Sequence, residues 1–305
     1  MTTDPAAWRG SDLRADTSWV VELTSAQRDE LRAAATSGEL STLVPILQDW
    51  RRELQRGSGL LLVRGVPVED LTEDKAREVF ALLGGHLGEP VSQNKDGDLI
   101  TDIRDVGNDP DDPDVRLYTT AAEQDFHTDG ADLIGLLCLK TAREGGINRV
   151  VSSVTVYDEI ARERPDLAPL LLQDWHFFLH TQSDGTPLTF AMPIVRRDEG
   201  VTASFFIPWY IRRAQGLPGV PDLTPEQDEV LRLYESTANR PDLYLDMDFR
   251  PGDMQWIRNA VVLHKRTAYV DWPEPERRRH LLRLWLTARE YADGDELLRS
   301  GIPQT

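Results

Sequence analysis

Hydrophobic positions recur at a helical spacing near the start of the chain. Apolar residues three and four positions apart predict helices over 24–35, 41–54 and 72–83. Between the second and third of these, the short apolar run LLLV predicts a buried strand within 59–66. The N-terminal part of the chain, about 1–57, is therefore expected to be helical.

Downstream of these helices the pattern changes to short runs rich in β-branched and aromatic residues, which is typical of strands. Two helical stretches interrupt the series at 154–163 and 224–239, and the second has Thr224 as N-cap and Pro225 at its first position. The acidic segment 106–114, VGNDPDDPD, is rich in turn formers and is expected to be a surface loop. The predicted strands lie at 98–104, 132–140, 149–153, 174–180, 188–195, 202–207, 244–249, 254–257 and 280–287.

Composition and charge limit the classes of partner. Of the 305 residues, 40% are hydrophobic, which is enough for a core, and the net charge of -18 repels phosphate backbones and anionic membrane surfaces. We therefore expect neither nucleic acid nor membrane as a partner. The chain has no apolar signal segment at its start and only one cysteine, Cys138, so a cytoplasmic location without disulfides is expected. The sequence leaves open whether copies associate into a homo-oligomer.

The most informative chemistry is a His-x-Asp motif, His127 and Asp129, with a second histidine, His264, far downstream. In an extended chain, positions 127 and 129 project from the same face, so an imidazole and a carboxylate can reach one ion. Two imidazoles and one carboxylate are the ligands of facial-triad iron sites, which leave three adjacent coordination positions free. The ordinary alternatives are a capped turn with a solvated aspartate and a histidine packed in the core.

A metal shared by these residues has a consequence for the fold, because it places everything between His127 and His264 in one domain. The strands of that domain then have to close on themselves, as they do in a jelly roll. No repeat or low-complexity linker divides the chain, so 1–305 is expected to be one domain with a jelly-roll core at about 58–290. The predicted fold class is α+β, mainly β with flanking helices.

A basic run, RRRHLLRLWL, coincides with the last predicted strand. Strand alternation puts Arg279 and Arg283 on one face, together with a leucine and a tryptophan, and His280 with three leucines on the other. Arginines that point inward from such an apolar strand need anionic partners, because an unpaired buried guanidinium is very costly. A planar guanidinium suits a carboxylate or a sulfonate. For Arg277 and Arg278 the alternative, a solvated basic turn, is favoured.

These segments together resemble a known family. FHTDG, GLLCL, EGG, VVSSVTVYDEI, the PGDMQWIRN turn, LHKRTAYVDWPE and RRRHLLRLWL are similar in order and spacing to the taurine dioxygenase-like (TauD/TfdA) superfamily of iron(II)- and 2-oxoglutarate-dependent oxygenases. The resemblance covers about 57–286 and implies a double-stranded β-helix with helices packed outside. It also implies that His127, Asp129 and His264 are iron ligands and that 2-oxoglutarate and O2 are cosubstrates.

The resemblance implies roles for three further residues. Arg279 occupies the place of the family arginine that pairs with the distal carboxylate of 2-oxoglutarate. Arg283 matches a position that often contacts the anionic group of the primary substrate. Asn148 stands where many relatives have a threonine or serine that helps to hold the cosubstrate; its amide can donate a hydrogen bond there, or it is an ordinary turn residue.

The implied reaction converts 2-oxoglutarate to succinate and carbon dioxide while an aliphatic C–H bond is oxidised. Hydroxylation is the default and desaturation or oxidative cyclisation the alternatives, whereas halogenation is disfavoured because Asp129 fills the position that a halide needs. Arg283 indicates a small anionic substrate, such as an amino acid or a natural-product intermediate. Two other classes stay open: a cupin-like metalloenzyme that does not use 2-oxoglutarate, and a non-catalytic binding module.

Two further segments could line the cavity. The polar stretch 91–94 follows an outer helix and could bring the amides of Gln93 and Asn94 to the pocket, with Asn94 as the expected substrate contact, and the aromatic run 205–210 lies near a strand end. The ordinary alternatives are a polar turn and core packing, respectively. His176 and His180 share one face of a predicted strand and are interpreted as strand residues without a catalytic role.

Overall fold

The structure, a computed structural model, describes the ranges 4–94, 96–112, 115–182, 184–198 and 201–288. Positions 113 and 114 of the predicted acidic loop, and the last two positions of the predicted core, lie outside the described residues. The helices are α1 (Gly10–Ala15), α2 (Ser25–Ser37), α3 (Leu43–Arg56), α4 (Glu73–Gly85), α5 (Ser153–Glu163), α6 (Pro208–Ala214) and α7 (Pro225–Ala238). The strands are β1 (Val20–Glu22), β2 (Leu60–Arg64), β3 (Glu89–Pro90), β4 (Ile100–Ile103), β5 (Gln124–His127), β6 (Leu133–Lys140), β7 (Glu144–Gly145), β8 (Asn148–Ser152), β9 (Asp174–Thr181), β10 (Pro187–Pro193), β11 (Val195–Asp198), β12 (Val201–Ser204), β13 (Leu245–Met247), β14 (Met254–Arg258), β15 (Val262–Arg266), β16 (Tyr269–Val270) and β17 (His280–Thr287).

All five predicted helices are present, and their ends differ from the prediction by at most two residues. Local chemistry explains this agreement. Thr24 and Thr224 each form a capping box, in which the threonine hydroxyl accepts from the backbone of a glutamine three residues on and the glutamine side chain accepts in return. Two short helices were not predicted. One of them, α6, begins directly after the predicted strand 202–207, of which β12 forms only the first part, and Pro208 occupies its first position.

Strand pairing builds two main sheets. The larger has seven strands in the order β1-β2-β14-β6-β17-β3, with β4 also paired to β17, and the smaller has four in the order β13-β8-β15-β5. The two sheets face each other across a shared core that includes Ile134 and Leu281 from the larger and Val150 and Val262 from the smaller. This is the double-stranded β-helix, or jelly roll, of the predicted α+β class.

Helices α2, α3 and α4 cover the outer face of the larger sheet. Their apolar side chains share one core with β14 and β17, to which Trp256 and Leu284 contribute. The ring of Trp256 lies 5.4 Å from the ring of Phe80 on α4. Leu281, by contrast, faces the space between the sheets, which confirms the alternation predicted for the last strand. No helix within the described ranges combines the length and the apolar character that crossing a membrane requires.

The observed strands differ from the predicted series both by a split strand and by strands that were not predicted. The predicted strand 188–195 is split into β10 and β11, which pair with different partners, β9 and β12. The two strands that carry the histidines, β5 and β15, were absent from the predicted series. Both end in polar residues that are nonetheless buried or half-buried, so neither shows the alternation of a half-solvated strand.

The interior of the larger sheet also holds the only cysteine of the sequence. Cys138 lies on β6, opposite Leu281 of β17, and its side chain is fully buried. Burial raises the pKa of its thiol to about 12. The thiol is therefore protonated at neutral pH.

Substitution of two adjacent glycines at the end of α4 can test how closely this helix packs on the sheet. A Cβ added at Gly84 would lie 2.4 Å from Leu284, whereas one added at Gly85 would have no atom within 4 Å. We expect Gly84→Ala to lower the free energy of unfolding by about 1–3 kcal/mol through overpacking. Gly85→Ala should leave it unchanged or raise it by up to about 1 kcal/mol. Urea unfolding of both variants measures this, and equal stability of the two would contradict the close packing.

Candidate active site

Two strands of the smaller sheet bring the histidines together. β5 and β15 are antiparallel neighbours, and His127 and His264 are direct partners in their register. Their ring centres lie 4.2 Å apart. Antiparallel pairing thus makes cross-strand neighbours of two residues that are far apart in the sequence.

Asp129 is positioned by a turn from another part of the chain. Its backbone N–H donates to the side-chain oxygen of Asn259, and the amide of Asn259 donates in return to the carbonyls of Asp129 and Ala131. Asn259 lies between β14 and β15, so this turn ties the end of β5 to the strand that carries His264. Thr128 is bound on the other side, through reciprocal hydrogen bonds with the backbone of Phe206.

The three predicted ligand residues come together. His127 Nε2 lies 3.8 Å from Asp129 Oδ1, and His264 Nε2 lies 3.5 Å from Asp129 Oδ2. One ligand atom of each residue lies within 4.8 Å of the others, so the three side chains could hold one metal ion. Two nitrogens and one oxygen in this arrangement are the donor set of a facial-triad iron site.

The protonation states suit metal binding. The Nδ1–H of His127 donates to the carbonyl of Asp125 at 2.7 Å, which leaves the lone pair on Nε2 facing the other two residues. Burial, together with the neighbouring His264, lowers the pKa of His127 to about 3. For Asp129, burial by itself would raise the carboxyl pKa, but Arg283 and His264 outweigh this and the pKa is lowered. At neutral pH His127 is therefore neutral and Asp129 is ionised, so both can donate a lone pair to a metal ion.

The carboxylate of Asp129 is held by two donors from β17. Arg283 Nη1 donates to Asp129 Oδ2 at 3.2 Å, and the indole N–H of Trp285 donates to the same oxygen at 3.1 Å. The Nε–H of Arg283 donates in turn to Gln93, whose amide donates back to the backbone of Arg283. Arg283 is thus buried and pointed inward, as its place in the strand predicts, but a protein carboxylate already occupies part of its guanidinium.

A cavity opens beside the two histidines and extends to Arg279 and Asn148. Arg279 is buried, and its Nη1 has no hydrogen-bond partner among the described residues. The amide nitrogen of Asn148 is likewise buried and without a partner, and so are both polar atoms of Gln255. The apolar part of the lining consists of Ile103, Tyr118, Leu136 and Leu281. Unpaired donors in an apolar cavity favour a ligand with anionic or carbonyl oxygens.

The second glycine of the EGG motif makes room for Arg279. Gly146 has a φ of +68°, which strains any residue with a side chain, and a Cβ added there would lie 3.0 Å from Nε of Arg279. The motif therefore serves the position of the arginine as well as the turn before β8.

The structure does not bring Asn94 to the cavity. The side-chain oxygen of Asn94 accepts from the backbone of Asp96 and Asp98, and its amide donates to Asp98, so the residue closes its own turn. The neighbouring Gln93 is the residue of this segment that reaches the site, through Arg283. Asn94 is thus the polar-turn residue of the alternative interpretation.

Several residues near the site were missed or undervalued by sequence reasoning. Trp209 of α6 lies 5.0 Å from the ring of His127, so the aromatic run 205–210 contributes to the site as well as to the core. Gln124 approaches His127 Nε2 at 3.0 Å, and Arg266 and Gln255 line the cavity. Alternation along the strands could have indicated Arg266, because it lies two positions after His264. His176 and His180 lie on β9, as predicted, and do not line the cavity.

A second group of potential ligands lies apart from this cavity. Glu73, Asp102 and His280 could meet at one point, but Arg77 donates to both carboxylates and the His280 ring bonds Asp102 at 2.6 Å. These residues form an ion-pair network that joins α4 to β4 and β17.

Sequence comparison relates the chain to a family and to individual proteins. Residues 20–285 match the model of the family described as taurine catabolism dioxygenase TauD, TfdA family. The chain is 30% identical to FR-33289 synthase of Streptomyces rubellomurinus, over 93% of this chain and 89% of that protein. It is 28% identical to a uridine-5'-phosphate dioxygenase of a Streptomyces species, over 71% of this chain and 81% of that protein.

The fold has counterparts among solved structures. An asparagine oxygenase in complex with Fe(II), hydroxyasparagine and succinate superimposes with a TM-score of 0.68 at 17% identity, covering 88% of this chain and 94% of that one. This likeness concerns the fold, whereas the family model and the sequence relatives identify the group. The chain therefore belongs to the TauD/TfdA family and is an iron(II)- and 2-oxoglutarate-dependent dioxygenase.

Proposed function

We propose that the chain hydroxylates an aliphatic C–H bond of a small anionic substrate, with His127, Asp129 and His264 as the iron ligands. The observation that carries this proposal is the convergence of two imidazoles and a carboxylate beside a cavity that contains a buried arginine, Arg279, whose Nη1 has no hydrogen-bond partner among the described residues. When bound, iron(II) and 2-oxoglutarate supply the activation of O2 that the side chains themselves lack.

The chain's own residues prepare the metal site. The hydrogen bond from His127 to the Asp125 carbonyl fixes the ring orientation and directs Nε2 inward. Arg283 and Trp285 both bind Oδ2 of Asp129, which leaves Oδ1, the atom nearer His127, free of these donors. An aspartate held in this way favours oxygenation over halogenation, because it fills the coordination position that a halide needs.

The cavity fits 2-oxoglutarate. Arg279 and Asn148 offer donors without partners, and the apolar side chains between the sheets can cover a short methylene chain. A cupin-like metalloenzyme that does not use 2-oxoglutarate has no need of a buried guanidinium in this place. A non-catalytic binding module has no chemical reason to keep two histidines and an aspartate at bonding distance from one ion.

The primary substrate is proposed to carry a carboxylate, phosphate or similar anion. Arg283 is the cation beside Asp129, and it lies 5.0 Å from the ring of Tyr118 on the cavity wall. A relative is named a uridine-5'-phosphate dioxygenase, and a structural neighbour holds hydroxyasparagine, so anionic and amino-acid substrates both occur among similar proteins. Asp129 and Gln93 each accept from only part of the Arg283 guanidinium. We propose that Arg283 positions Asp129 and that its other N–H donors bind the anionic group of the substrate. Desaturation and oxidative cyclisation remain the alternatives with the same cofactors.

The ligand assignment is tested by exchanging a carboxylate for an amide at two nearby positions. We expect Asp129→Asn to weaken iron(II) binding by about a hundredfold or more, because even the loss of an outer-shell partner costs about 10- to 100-fold. Asp125→Asn is the matched control, since the contribution of Asp125 to His127 comes from its backbone carbonyl. Anaerobic iron titration measures both variants, and equal affinities would contradict the role of Asp129.

The cosubstrate assignment is tested at Arg279. Anaerobic addition of iron(II) and 2-oxoglutarate should produce the weak visible charge-transfer band of a chelated 2-oxo acid. Arg279→Ala should raise the 2-oxoglutarate concentration needed for this band by about a hundredfold or more, since a buried charge partner is lost, and leave the iron requirement almost unchanged. Arg277→Ala, which removes an exposed guanidinium stacked on Trp272, is the control. Equal loss of both affinities in Arg279→Ala would make the arginine structural.

Substrate identity is accessible through succinate release. A screen over amino acids, phosphate esters and small carboxylates or sulfonates should find stimulation only by compounds that carry an anionic group, because Arg283 is the cation nearest the proposed iron ligands. Stimulation confined to cationic or neutral compounds would refute this use of Arg283.

A further inference from the structure

Arg266 lies in the row of residues next to the histidines. It follows His264 by two positions on β15, so both side chains leave the same face of the strand. In the register of the smaller sheet its direct partner on β8 is Asn148, and its partner on β5 is Gln124. One row of the sheet thus carries the two histidines proposed as metal ligands, and the next, about 7 Å along the strands, carries Arg266 between two amides.

Arg266 is a buried cation with unused donors. It is only 6% exposed, it lines the cavity, and its Nε and Nη1 have no partner among the described residues. Arg279 is 3% exposed and also has an unpaired Nη1. Both guanidinium carbons lie 5.1 Å from the centre of the Tyr269 ring, so the two cations approach the same side chain.

The described carboxylates do not neutralise this pair. Asp271 accepts from the backbone N–H of Arg279 and forms no ion pair with either guanidinium, and Asp105 acts on Arg266 only at a distance. Two buried guanidiniums that repel each other and keep free donors are stable together only with an anion between them.

We propose that Arg266 is a second cosubstrate-binding arginine, which together with Arg279 binds the distal carboxylate of 2-oxoglutarate. This inference rests on the proposed function of the cavity and extends it to a residue without an assigned role. Arg266 thereby makes the site selective for a 2-oxo acid with a second carboxylate over one that ends in a methyl group.

Arg266 also supports the segment that forms one wall of the cavity. Its Nη2 donates to the carbonyls of Leu117 and Ala122, at the two ends of the segment 117–122. That segment carries Tyr118, whose ring lies beside Arg283. A purely structural role for Arg266 would therefore be support of this wall. Loss of such support would weaken every 2-oxo acid alike, whereas loss of a carboxylate partner would weaken only the dicarboxylate.

The test compares 2-oxoglutarate with 2-oxopentanoate, which has the same chain length and lacks the distal carboxylate. Affinities are measured anaerobically from the charge-transfer band with iron(II), without turnover. In the parent protein 2-oxoglutarate should bind far more tightly. Arg266→Gln should reduce this preference by about 10- to 100-fold, the range expected for a charge-assisted hydrogen bond. Arg266→Lys, which keeps the charge but not the planar donors, should lie between the two.

Arg149→Gln is the matched control for net charge. Arg149 lies on β8 next to Asn148 but pairs with Asp246 on the opposite face, so its loss should leave the preference unchanged. An unchanged preference in Arg266→Gln, or equal weakening of both acids, would overturn the proposal. Absence of the 2-oxoglutarate band in the iron-bound parent protein would instead refute the cosubstrate site itself. If Arg266→Gln does not fold, Arg266→Lys decides between these outcomes by the same ratio.

Discussion

The pairing of β5 with β15 is the constraint on which the site depends. It sets His127 opposite His264, and the turn that contains Asn259 then ties Asp129 to the strand connection on the same side. A slip of one residue in this register would turn one imidazole to the other face of the sheet. The metal site is thus a property of sheet register, and the jelly roll is the closed arrangement that makes this register possible.

The distribution of charge reverses between surface and interior. The chain carries a net charge of -18, yet three arginines, Arg266, Arg279 and Arg283, converge on one cavity. Within the described ranges, Arg283 alone among them has a protein carboxylate as a close partner, and that carboxylate is Asp129. Salt screens the influence of the acidic surface over distance, whereas the buried guanidiniums are screened much less and act directly on whatever enters the cavity. An acidic protein can in this way be a receptor for anions.

Sequence reasoning was accurate where local chemistry decides the outcome. Helix spacing and threonine caps located the helices, and the alternation in the last strand placed Arg279 and Arg283 inward. It was wrong where long-range contacts decide. The polar residues of β5 and β15 concealed those strands because their partners, including Asn148, lie elsewhere in the sequence. Asn94 was preferred to Gln93 because only the folded chain shows which of the two amides meets β17.

The burial of the single cysteine affects how the protein withstands oxidation, because the chain is an oxygen-activating enzyme. Enzymes that activate O2 generate oxidants that can escape the reaction and attack their own side chains, and a thiolate is the most vulnerable target. Cys138 is fully buried and its thiol stays protonated, so it offers such oxidants neither access nor a nucleophile. The placement of this residue therefore bears on how many turnovers the protein survives.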